Sequence, residues 1–144
     1  MNLSLEDYQK FNNLNDKELE EYIKDKSNRD RMIAYFGEEE YDSLRQILTS
    51  KSVLAGVRST EIILLPGIMG SELADPDSNE KVWVNIKGII FGKKFPKLES
   101  SNDLKAVGLY RKAYFKTIKS LENQGYTVHT FPYDWRKPID DRGS

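Results

Sequence analysis

Apolar side chains in the first fifty residues recur at intervals of three and four. Leu5, Tyr8 and Phe11 form one set, followed by Leu19, Tyr22 and Ile23, then Met32, Ile33 and Phe36, then Tyr41, Leu44, Ile47 and Leu48. That spacing lines one face of a helix, so residues 4–50 are predicted to form three or four short amphipathic helices. Their starts are marked by polar residues with an acid three positions on: Ser4 with Asp7, Asn15 with Glu18, and Ser27 with Asp30. Gly37 is a plausible stop for the third helix.

The pattern changes near residue 60. Ile62-Ile63-Leu64-Leu65 is an unbroken apolar run closed by Pro66-Gly67, as expected of a strand buried on both faces of a parallel sheet. Lys81–Asn85 alternates apolar and polar, which predicts a partly exposed strand or hairpin arm. Tyr110, Tyr114, Ile118 and Leu121 trace a helical stripe, and Gly125 stands where a helix C-terminus favours glycine. Thr127–Phe131 is a second β-rich run, ended by Pro132. Strand, helix and strand in this order predict a right-handed βαβ crossover. The expected fold class is α/β, with a helical N-terminal region over 1–58 and an α/β region over 59–144.

Composition narrows the function without selecting one. With 144 residues, 38% hydrophobic and 31% charged, the profile is that of a soluble globular chain with a real core. Twenty-two basic side chains against 23 acidic ones give no electrostatic reason to expect a nucleic-acid partner. The absence of cysteine removes disulfides, thiolate metal sites and thiol nucleophiles. No metal site and no cofactor are expected. The N-terminus has neither a basic nor an apolar signal region, and the apolar runs are too short to span a bilayer, so a cytoplasmic location is the default expectation. In Ile86–Leu98, Ile89, Ile90, Phe91 and Phe95 are flanked by Lys87, Lys93, Lys94 and Lys97. Such a stretch can rest on an anionic lipid surface; more often it is a hairpin or loop with solvated lysines.

Three segments carry a more specific signal: Leu64-Leu65-Pro66-Gly67-Ile68-Met69-Gly70-Ser71-Glu72-Leu73; Val82-Trp83-Val84-Asn85; and Gly125-Tyr126-Thr127-Val128 leading into Phe131-Pro132-Tyr133-Asp134-Trp135-Arg136. Together, over roughly residues 60–138, they resemble the lecithin:cholesterol acyltransferase and lysosomal phospholipase group of α/β-hydrolases, including its bacterial relatives. The resemblance implies part of a hydrolase sheet and a serine-dependent activity on a lipid or other ester. In that fold the loop after the third strand gives a backbone amide to the oxyanion hole, and donors aimed at developing negative charge stabilise the tetrahedral intermediate. On this match Ile68 is the first oxyanion donor and Met69 the second. Pro66, Gly67, Gly70 and Ser71 shape the loop, the glycines by allowing unusual backbone angles and close approach. Read without the resemblance, Pro66-Gly67 does no more than end a strand. Tyr133, Asp134, Trp135 and Arg136 fall at the carboxyl end of a strand, where open α/β sheets build their sites. Asp134 and Arg136 are expected to pair and fix this loop over Trp135, in preference to touching substrate.

The rest of the machinery is missing. No Gly-x-Ser-x-Gly elbow occurs in the sequence. His129, the single histidine, precedes any nucleophile, whereas the fold's triad runs nucleophile, acid, histidine; it is expected to be an ordinary strand residue. The resemblance puts the elbow beyond Arg136, after a strand that 144 residues do not reach, so the chain is expected to be inactive alone. Two functions follow: the N-terminal segment of a lipid acyl hydrolase or acyltransferase, and a non-catalytic binding module derived from the fold. A sheet that stops at Thr127–Phe131 leaves an unpaired edge, which predicts self-association or cover by the N-terminal helices.

Overall fold

The structure, a computed structural model, describes residues 3–50, 60–85, 98–99 and 103–138. Helix α1 spans Leu5–Asn13, α2 Asp16–Lys24, α3 Arg29–Phe36 and α4 Glu38–Thr49. Strands β1 (Glu61–Leu64), β2 (Ser71–Ala74), β3 (Lys81–Trp83) and β4 (Lys105–Leu109) precede helix α5 (Arg111–Asn123) and strand β5 (Thr127–Thr130). The chain divides into two compact units, one of residues 1–62 with 114–128 and the other of 63–113 with 129–144. Fold class is mixed α/β.

In the first unit local sequence sets the helix boundaries. Ser4 and Asn15 each accept the amide three residues on, while Asp7 and Glu18 reach back to the cap amides, closing two capping boxes. The third expected cap does not form. Asp25 takes the Ser27 amide at 2.8 Å and starts a 3-10 turn over Lys26–Asn28, so α3 begins after Asn28 without a side-chain cap. An aspartate bonding the backbone two residues on makes its own turn, and here it forestalls Ser27. Gly37, at φ 96°, ends α3 and leads directly into α4. Phe11, Leu19, Ile23, Met32, Tyr35, Tyr41, Leu44 and Phe115 form the core. Tyr35 takes the buried place that the apolar pattern gives to Ile33 and Phe36. Its ring packs near-edgewise on Phe11 at 5.4 Å and on Phe36 at 4.7 Å, and its hydroxyl donates to Asn12, which makes burial of a tyrosine tolerable.

The second unit contains an antiparallel sheet of order β3-β2-β4. Lys81–Trp83 is the hairpin arm that alternation predicts. The central strand β2, Ser-Glu-Leu-Ala, has little intrinsic preference for a strand; pairing on both edges and burial of all four residues impose it. Glu72 is carried into the interior and paired with Lys81 at 2.7 Å. Leu73, Val82 and Leu104 make the core, with Trp83, Leu98, Ala106 and Trp135 against it.

Strands β1 and β5 form a two-stranded sheet of their own. The amides of Thr127 and Phe131 donate to the carbonyls of Thr60 and Leu64; equal steps of four along both strands make the pair parallel. Helix α5 leads into β5 through Gly125, at φ 93°. The Tyr126 amide bonds the Leu121 carbonyl and the Gly125 amide that of Glu122, the two bonds of a Schellman motif. The strand–helix–strand order is present, with the whole antiparallel sheet inserted between β1 and α5. One expectation fails: β1 is not buried on both faces, since Ile63 is 65% and Leu65 63% exposed. A two-stranded ribbon has no neighbouring strands or second layer to cover both sides.

Candidate functional site

The residues after β1 make a tight turn. Pro66 is buried, and the Gly70 amide donates to the Gly67 carbonyl at 2.9 Å, closing a four-residue turn with Ile68 and Met69 at its centre. Met69 has φ 65°, and a positive φ at the third position alone is the mark of a type II turn. The left-handed residue is thus Met69, not Gly67 or Gly70, which correct the expected role of the glycines. Gly67 is exposed and leaves the neighbouring amide approachable; Gly70 is buried. The Ile68 and Met69 side chains are 77% and 46% exposed. Neither the Ile68 nor the Met69 amide donates to a partner among the described residues.

The turn's backbone is fastened by indole and main-chain donors from later in the chain. The Trp83 indole N–H donates to the Met69 carbonyl at 3.0 Å, and the Tyr110 amide to the Gly70 carbonyl at 2.7 Å. Ser71 is fully buried. Its Oγ accepts the Tyr133 amide at 2.9 Å and its carbonyl accepts the Trp135 indole N–H at 3.2 Å. Grouped by the sequence with the substrate loop, Ser71 instead begins β2 and ties the two motifs together. The Trp83 and Trp135 rings meet edge to face, 5.5 Å between centroids.

Asp134 and Arg136 hold the second motif in shape. Arg136 Nε and Nη2 donate to the two carboxylate oxygens of Asp134 at 2.9 and 2.7 Å, and the Arg136 amide adds a third bond at 3.1 Å. The arginine's Nη1 donates to the Glu99 carbonyl at 2.7 Å. Both side chains are buried, so this fork satisfies charges that would otherwise be costly to hold away from water. Burial pushes the Asp134 carboxyl up, but the hydrogen bonds and charge of Arg136 outweigh it and hold the group below its ordinary value of 3.8. The ion pair expected of these two residues is present.

The first and third motifs are thereby brought together, Pro66–Ser71 with Tyr133–Arg136. His129 lies exposed in β5. Of the lysine-rich stretch only Leu98 falls among the described residues, so the reading of Ile86–Phe95 as a lipid-facing segment lies outside them. Among the described residues no helix is long and apolar enough to cross a membrane. Trp83 falls in the second motif with no role predicted for it; a tryptophan in a half-buried strand needs an acceptor for its N–H, and that is the signal the sequence offers. The Glu99 and Tyr110 backbone contacts carry no side-chain signature and had none. No family model, no curated protein and no solved structure matches the chain.

Proposed function

We propose that this chain supplies the oxyanion half of a serine-dependent lipid acyl hydrolase or acyltransferase, with the Ile68 amide as first donor and Met69 as second. The observation carrying this reading is a pair of consecutive amides with no partner among the described residues. They stand in a turn at the carboxyl end of a strand in a parallel pair, where α/β folds place their ligands. Fixed donors do not reorganise as charge develops, which is the source of their catalytic value, and the bonds from Trp83, Tyr110, Tyr133 and Trp135 supply that fixity. The 144 residues contain no elbow serine, so nucleophile, acid and histidine have to come from sequence outside them. The second reading, a non-catalytic interaction module, is favoured by the apolar side chains left exposed beside the turn.

The purified chain should neither hydrolyse p-nitrophenyl esters nor label with a fluorophosphonate. Supplied with a complementing fragment that carries the triad, Ile68→Val should be nearly silent, because an amide keeps its place whatever the side chain. Met69→Val, which puts a β-branched residue where φ is positive, should lower acylation roughly a hundredfold, as for one lost donor. Stoichiometric labelling of a serine in the chain alone, or full turnover by Met69→Val, would overturn the assignment.

A further inference from the structure

We draw no further inference here: the strongest candidate, the groove of about 460 Å³ between helices α4 and α5 that Ser43, Gln46, Ile47, Lys116, Ser120 and Leu121 line, carries none, because nothing in the structure shows what covers it.

Discussion

Met69 shows how a single residue can decide the geometry of a site. The left-handed conformation disfavours side chains because Cβ crowds the following carbonyl, at a cost of about 1–2 kcal/mol. Met69 holds it because its carbonyl is fixed by Trp83 and the turn is closed by Gly70. Asp134 acts at the same scale. Its carboxyl is depressed below 3.8 in the folded chain, so its contribution to stability is complete above the unfolded value and is lost as pH falls through the folded one. Asp134→Asn should therefore flatten the acid limb of a stability–pH profile measured by urea unfolding. At neutral pH it should lower stability, because a neutral amide replaces the carboxylate opposite the buried Arg136 guanidinium, and hydrogen bonds to charged groups are worth about 1.5–3 kcal/mol. An unchanged acid limb would show that the pair is not a determinant of stability.

At the scale of elements, what could be read in the sequence was what local chemistry sets. The capping residues at Ser4 and Asn15, the Gly37 break and the Gly125 helix end all act over a few residues, and each stands where its pattern places it. Asn15→Ala should cost about 1 kcal/mol, read as a lower urea midpoint with unchanged slope; no shift would mean that packing alone holds α2. Elements set by partners were not legible. Strand β2 carries a polar, weakly β-forming sequence and exists because β3 and β4 flank it. β1 looks like a doubly buried strand from its run of apolar residues, yet the ribbon has too few strands to bury it. Periodicity records which residues are apolar, not how many strands arrive to cover them. The same limit hid the scaffolding of the site: the pairing of Asp134 with Arg136 could be expected from two residues, whereas the bonds of Trp83 to the Met69 carbonyl and of Trp135 to the Ser71 carbonyl depend on three segments meeting.

For the molecule as a whole, the residues around the turn divide the labour between rigidity and exposure. Buried Ser71, the two indoles and the Asp134–Arg136 fork fix the backbone, while Ile68 and Met69 face outward with amides that bond nothing among the described residues. Such a turn should accept an anion without moving. The direct measurement is a ¹H–¹⁵N titration of the intact chain with an alkylphosphonate, whose tetrahedral oxyanion imitates the acylation intermediate. The expected result is saturable downfield displacement of the Ile68 and Met69 amides, retained in Ile68→Val and lost in Met69→Val, with the Tyr133 amide unmoved because Ser71 already holds it. Displacements that spare Ile68 and Met69, or that survive unchanged in Met69→Val, would contradict an oxyanion role for the turn.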